Sequence, residues 1–279
     1  MRPEKPGGHP AYAGIVLVVG GDFAGYVIDA TLGRGGHATV YRAHRPAGPD
    51  RAVALKVLDE HHRGEEQIAR LRREFEFAHQ LDHPHIVTVY DSGVGWLTME
   101  IIDGGTSSAL PNTQTRLTAL RQIAAALDYT HRCGIVHCDV KPSNILVSHD
   151  LSRAVLIDFG IACAVAETVG WRAKHIEASL PYTAPELLRG RPPSALTDQY
   201  ALACTAVELL LGAPPYSGAG TWMQLVDAHL NRQVPSYSDK IAWVPRRFDS
   251  WLHRALAKLP EARYDSCTEL IEQLTRALE

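Results

Sequence analysis

Apolar residues recur along this chain with two different periods, and the change between them divides it. As far as Ile102 they come in short runs broken by glycine, the pattern of strands. "YVIDATLG" and "TVYRAHRP" flank a Gly-rich turn, "RAVALKVLDE" reads as another strand, and "HIVTVYDSG" with "GWLTMEII" reads as a hairpin. A helical period interrupts them in "EEQIARLRREFEFAHQL". There Ile68, Leu71, Phe75, Ala78 and Leu81 share one face and charges occupy the other. After Asp103–Gly105 the character changes. From Thr115 the period is helical, except in "GIVHCDVKPSNILV" (Gly134–Val147), which reads as strand, loop, strand, and in an irregular stretch after Phe159. The pattern predicts an α+β chain of two lobes: a small antiparallel β lobe with one helix over 23–102, and a larger helical lobe over 103–279. Residues 1–22 read as a flexible segment, disordered over Met1–Pro10. Ile15–Val19 is expected as an extra edge strand, turned back by Gly20-Gly21-Asp22. A cleft between two lobes is a common place for a ligand.

Composition narrows the function. With 279 residues, 46% hydrophobic and 21% charged, the chain can build an ordinary globular core. Lys+Arg 28 against Asp+Glu 31 gives a net charge of -3, which argues against non-specific nucleic-acid binding. The five cysteines show neither zinc-finger spacing nor a disulfide framework, and this favours a reducing cytoplasm. "AYAGIVLVV" is about half the ~20 residues that a membrane span needs, and no convincing signal-peptide cleavage site follows it.

Candidate chemistry lies in three places. In "LGRGGHATVYRA" (Leu32–Ala43), Gly33, Gly35 and Gly36 lie on a strand–turn–strand where bare backbone can approach phosphates. Alone, such a cluster is better explained by a hairpin turn. It is not a Walker A loop, because no Gly-Lys-Ser/Thr follows. Lys56, in the strand "VALK", reads alone as an edge-strand gatekeeper. Its candidate partner is Glu74 on the amphipathic helix; Glu76 points elsewhere around that helix. The loop after Gly134 supplies Asp139, Lys141 and Asn144, and Asp158 follows in "LIDFG". Asn and Asp oxygens suit Mg²⁺ bound together with phosphates. A neighbouring lysine can neutralise a transferring phosphoryl group, and a metal-free carboxylate can accept a hydroxyl proton. Singly these are turn residues; jointly they describe a phosphoryl-transfer centre.

In this combination the chain resembles the protein kinases, in particular the bacterial eukaryotic-like (Hanks-type) Ser/Thr kinases, over about Phe23 to Leu278. The resemblance implies the two-lobed kinase fold and a Ser/Thr protein kinase that transfers the ATP γ-phosphate to protein hydroxyls. It implies ATP with Mg²⁺, or alternatively Mn²⁺. Leu32, Gly33, Gly35, Gly36 and Val40 would cover the nucleotide, with Ala54 and Leu146 also at the nucleotide. Lys56, paired with Glu74, would hold its α/β-phosphates. Met99 resembles the gatekeeper, and the backbone of Glu100 and Ile102 would meet adenine. Asp139 would be the catalytic base, Lys141 would contact the γ-phosphate, and Asn144 and Asp158 would hold the metal. "KPSN" resembles the Ser/Thr-specific loop. Ala184–Glu186 resembles the end of the activation segment, Arg263 its distal partner, and Asp198 the buttress of the catalytic loop. Ser179 stands where the family has a Thr touching the catalytic Asp.

The sequence departs from the family at Ala38, at Ala178 and, above all, at Cys138, which replaces the arginine before the catalytic Asp. Cys163 stands at a second position that is often basic. Both would be partners of an activation-loop phosphate, so activity independent of that phosphorylation is expected. Family geometry would set the two cysteines on neighbouring antiparallel strands, packed or bonded. The rivals are a pseudokinase scaffold, against which Lys56, Glu74, Asp139, Asn144 and Asp158 argue, and a small-molecule kinase of the same fold. Protein substrates and ATP are the expected partners, without nucleic acid; monomer and homodimer both stay open. Location is expected to be cytoplasmic, or on the cytosolic side of a membrane-anchored receptor kinase.

Overall fold

The computed structural model describes residues 18–164 and 177–279, side chains at 48–50, 177 and 178 excepted. Met1–Pro10, positions 15–17 of the expected edge strand and the activation-segment hydroxyl of Thr168 lie outside the described residues, as does the side chain of Ala178. The chain divides into two compact units, one holding Val89–Ile101 and the residues up to Arg72, the other Arg73–Thr88 and Ile102–Glu279.

The first unit is an antiparallel sheet. Strands β1 (Asp22–Phe23), β2 (Tyr26–Arg34), β3 (Ala38–Arg45) and β4 (Gly48–Leu58) follow in order. Helix α1 (Glu65–His79) comes next and crosses into the second unit, and then β5 (Val89–Gly93) and β6 (Trp96–Met99). The strand order is β1-β2-β3-β4-β6-β5. Strand alternation sends Leu55 and Val57 to a core with Phe23, Tyr26, Ile28, Ala43 and Trp96. It sends Ala54 and Lys56 to the opposite face. The rings of Phe23 and Tyr26 meet that of Trp96 edge-on, with centroids 6.4 and 6.1 Å away.

That anchoring explains where the sheet edge forms. Val18 and Val19 lie outside any strand and are 59% and 69% exposed. Among the described residues the edge strand is Asp22–Phe23, where Phe23 has a core to enter; of the expected strand only Val18 and Val19 can be compared, and they are not in it. The expected return turn is present: Gly20 N–H donates to Ile28 O at 2.8 Å, with Gly20 at φ 83°. On α1 the buried positions are Leu71, Glu74 and Ala78; Phe75 is half-buried.

The second unit is mainly helical, with α2 (Thr113–Arg132), α3 (Pro185–Leu188), α4 (Ala195–Leu211), α5 (Trp222–Leu230), α6 (Arg246–Ala255) and α7 (Cys267–Leu278). Four short strands interrupt the helices: β7 (Ile135–Val136), β8 (Ile145–Val147), β9 (Ala154–Leu156) and β10 (Cys163–Ala164). Helix α2 starts two residues before the expected Thr115, because the Asn112 side chain caps it by accepting from Thr115 N at 3.0 Å. α4 is apolar on nearly all sides and buried accordingly, the character of a central helix. Gly212 ends it at φ 88°, donating its N–H to Glu208 O. No helix of the described residues is long and apolar enough to cross a membrane.

Candidate active site

In the second unit, the stretch Gly134–Val147 folds as the alternation of apolar and polar residues suggests. β7 leads into a loop over 137–144, and β8 leads out of it. β8 pairs with β9 as a hairpin and β7 pairs antiparallel with β10, so two short ladders bracket the loop and the Asp158-Phe159-Gly160 turn.

Asp198, fully buried on α4, fixes the loop from below. Its carboxylate accepts from the backbone N–H of His137 and of Cys138, each at 2.8 Å, and from His131 Nε2 at 2.8 Å. Cys138 can therefore hold φ 66°, a left-handed conformation costing a non-glycine residue on the order of 1–2 kcal/mol. The kink turns the next residue, Asp139, away from the strand direction. His137 contributes from the other side. Its Nδ1 accepts from Asp139 N–H at 3.2 Å, so Nε2 carries the hydrogen and donates to Ile157 O at 3.1 Å. Its ring lies 4.7 Å, edge-on, from buried Phe159. These roles of His131 and His137 escape sequence reading, because their partners are folded in from distant segments. The available signal was three histidine or acid positions flanking one apolar run.

Asp139 is buried, 4% exposed, and each of its oxygens is held. Lys141 Nζ donates to Oδ1 and Oδ2 at 2.9 and 2.8 Å and to Ser179 Oγ at 2.8 Å. Ser179 Oγ donates to Oδ1. Asn144 Nδ2 donates to Oδ2 at 2.9 Å and to the Asp139 carbonyl at 2.8 Å. Both Asn144 amide hydrogens are thus committed within the loop, and its side-chain carbonyl oxygen remains as an acceptor. Asp158, at φ 66°, accepts from Gly160 N–H at 3.2 Å. Amide carbonyl and carboxylate oxygens are the hard donors that a divalent cation of the magnesium type takes.

The activation segment ends on Glu186 (3% exposed), which Arg263 grips through two hydrogen bonds of 2.8 and 2.9 Å. Beside the loop, Cys138 and Cys163 meet with Sγ atoms 3.8 Å apart, a contact of two thiols rather than a disulfide. Cys163 is on β10 opposite Val136, as expected, but Cys138 lies in the loop beyond β7 because of its left-handed φ.

In the first unit, Val40, Ala54, Lys56 and Met99 share one sheet face. Val40 stands opposite Lys56 and Ala54 opposite Met99, and directly opposed residues point to the same side. Gly33 pairs with Val40, and Gly35 and Gly36 make the turn beside them. A Cβ placed on Gly33 or Gly36 would meet nothing within 4 Å, so the chain's own packing does not require glycine there. Leu32 is 48% exposed, Ala54 and Met99 are buried, and Lys56 is half-buried. Glu100 follows β6, and Ile102 opens the second unit's main segment, where half-buried Leu146 lies on β8. Glu74 is buried while Glu76 is exposed.

The chain is similar to known proteins over nearly its whole length. The profile of the protein kinase domain family matches residues 26–276. The Ser/Thr protein kinases PknJ and PknF of Mycobacterium tuberculosis are each 38% identical to 94% of this chain. The chain spans only 47% and 58% of their lengths, about half of the curated relatives it matches. A crystal structure of the Mycobacterium tuberculosis PknI kinase domain superposes with a TM-score of 0.71 at 33% identity, covering 94% of this chain and all of that one. With nearly its whole length matched, the chain belongs to the protein kinase family, in its bacterial eukaryotic-like branch.

Proposed function

We propose that this chain is the catalytic domain of a Ser/Thr protein kinase, with lobes at 23–102 and 103–279, that transfers the γ-phosphoryl group of ATP to protein Ser or Thr hydroxyls. The observation that carries the reading is the Asp139 carboxylate, buried yet held by Lys141, Asn144 and Ser179. A carboxylate fixed this way accepts the proton of an incoming hydroxyl without first reorganising. Lys141, bonded to both Asp139 and Ser179, stands ready to bring its charge to the transferred phosphoryl group.

Asn144 and Asp158 would hold the divalent cation, Mg²⁺ or alternatively Mn²⁺, and its oxygen-only donor set supports this. When bound, the cation neutralises phosphate charge and orients the phosphates for in-line transfer. Lys56, positioned by Glu74, would take the α/β-phosphates; the burial of Glu74 rather than Glu76 supports the choice of partner. Gly33, Gly35 and Gly36 would cover the phosphates; free space around Gly33 and Gly36 leaves those two without a role in packing, which supports this. Leu32, Val40, Ala54, Met99 and Leu146 would enclose adenine, with Glu100 and Ile102 supplying backbone bonds. The domain would act in the cytosol, alone or as part of a membrane-anchored receptor, and as a monomer or a homodimer.

The test is a parallel screen with labelled ATP and Mg²⁺ of Ser/Thr peptides against small hydroxyl metabolites. Label on peptide Ser or Thr is expected. Label confined to metabolites would replace the protein-kinase reading by a small-molecule one, and no transfer at all would favour a pseudokinase.

A further inference from the structure

The second unit contains another set of metal-ligand groups, none of them assigned to phosphoryl transfer. Asp128 and His131 are three positions apart on α2 and so share a face, and Cys267 is the first residue of α7. One ligand atom from each lies within 4.8 Å of the others. All three line a single pocket of about 490 Å³.

The protonation of His131 follows from its neighbour. Asp198 Oδ2 is 2.8 Å from His131 Nε2 and also accepts the His137 backbone N–H. An ionised carboxylate only accepts, so Nε2 must carry the hydrogen, and in the neutral ring Nδ1 presents a lone pair. Nothing else among the described residues bonds to this ring. A histidine that donates one nitrogen to a carboxylate can offer the other to a metal, the outer-shell arrangement that metal sites use. Asp128 is fixed in its turn: its two oxygens accept from Cys267 N and Thr268 N, each at 2.9 Å, and its carboxylate also bonds the Cys267 thiol, whose pKa burial and this neighbour raise. Arg132 lines the pocket too, but its guanidinium lies over the Tyr129 ring, 5.9 Å from the centroid.

We propose that Asp128, His131 and Cys267 form a binding site for a borderline divalent cation, Zn²⁺ foremost, with the fourth position open to a water from the pocket. Imidazole and thiolate select zinc-like ions over Mg²⁺ and Ca²⁺. On binding, the Cys267 S–H bond breaks, its proton goes to solvent, and the sulfur lone pair goes to the metal; no oxidant or reductant takes part. Carboxylate and thiolate together offset the charge of the ion. The site would clamp α2 to the start of α7 and fix the ring that Asp198 uses beneath the catalytic loop.

The probe is Co²⁺ added to the metal-free protein without nucleotide, followed by displacement with Zn²⁺. One equivalent should give a thiolate-to-cobalt charge-transfer band with tetrahedral ligand-field bands, and Zn²⁺ should erase both. The charge-transfer band should vanish in Cys267→Ser and survive in the double variant Cys138→Ser/Cys163→Ser. Asp128→Asn, which keeps the thiol, should weaken Zn²⁺ binding at least about tenfold. A band that persists in Cys267→Ser, or one lost only with Cys138 and Cys163, would overturn the site. Should Cys267→Ser fail to fold, wild type and Asp128→Asn decide: no thiolate band in wild type, or equal Zn²⁺ affinity in both, overturns it.

Discussion

Arg263 and Glu186, 77 positions apart in sequence, form a buried, two-pronged ion pair, with side chains 0% and 4% exposed. The same guanidinium also donates to Leu196 O and Ala257 O and lies 4.8 Å over the Tyr200 ring, so one side chain ties α3, α4 and the segment before α7 together. Removing one member of such a pair strands the other's charge, at a cost of roughly 3–5 kcal/mol. Arg263→Ala should therefore lower the melting temperature by several degrees, and Arg263→Lys should recover only part of it, because an ammonium cannot form the fork. An unchanged melting curve for Arg263→Ala would contradict the pairing.

Lys56→Met should leave the domain folded and remove most phosphotransfer. The side chain is half-buried and its aliphatic length is retained, so packing changes little. A charge that acts mainly in the transition state lowers kcat by on the order of a hundredfold when lost. Steady-state rates within a few-fold of wild type would exclude the proposed phosphate role.

The Cys138–Cys163 contact bears on regulation. Hydrogen bonding to Cys163, with burial added, pushes the Cys138 thiol well above its ordinary pKa, so Cys138 carries no charge. Neither cysteine can be a cation, so the two positions offer an activation-loop phosphate no charge-assisted bonds, and phosphate there would order nothing. Thr168→Ala, or phosphatase treatment, is therefore expected to leave basal activity nearly unchanged. A tenfold loss in either assay would refute this.

His229 gives a pH dependence. Burial, and then the nearby Lys258 charge, push its pKa down to about 3, while Nδ1 meets Tyr200 Oη at 2.9 Å. The unfolded chain takes up this proton near the ordinary value of about 6.5, so between the two values the unfolded state binds more protons. The stabilisation is complete above about pH 6.5 and is lost as pH falls toward the native value, at up to ~1.4 kcal/mol per pH unit. His229→Gln cannot take up the proton and should flatten the acid limb of melting temperature against pH. Parallel curves for the two proteins would rule the linkage out.

Much of this was legible in the sequence where the signal is local. The run from Gly134 to Val147 shows a strand, a polar loop and a strand, and it folds that way. Lys56 alternates with Leu55 and Val57, and these two do face the core. What was hidden depends on partners far along the chain. Phe23 and Tyr26 anchor the described sheet edge through Trp96, a partner about 70 positions on, while apolar Val18 and Val19 stay outside any strand. The left-handed φ of Cys138 is held by Asp198, 60 positions on, and no periodicity signals it. His131 resembles an ordinary helix residue until Asp198 folds against it, 67 positions away.

Asp139 offers the most direct test of the function, because every bond in its setting serves to aim one carboxylate. Asp139→Asn keeps the shape, gives up one acceptor oxygen for an amide NH2, and cannot take up the hydroxyl proton. The measurement is transfer of labelled γ-phosphate from ATP and Mg²⁺ to a Ser/Thr peptide, with nucleotide binding followed in the same samples. Wild type should label the peptide, while Asp139→Asn should bind nucleotide and lose at least about a hundredfold in rate. Equal transfer by the two proteins, or none by wild type under conditions where it binds nucleotide, would contradict a phosphoryl-transfer centre built on Asp139.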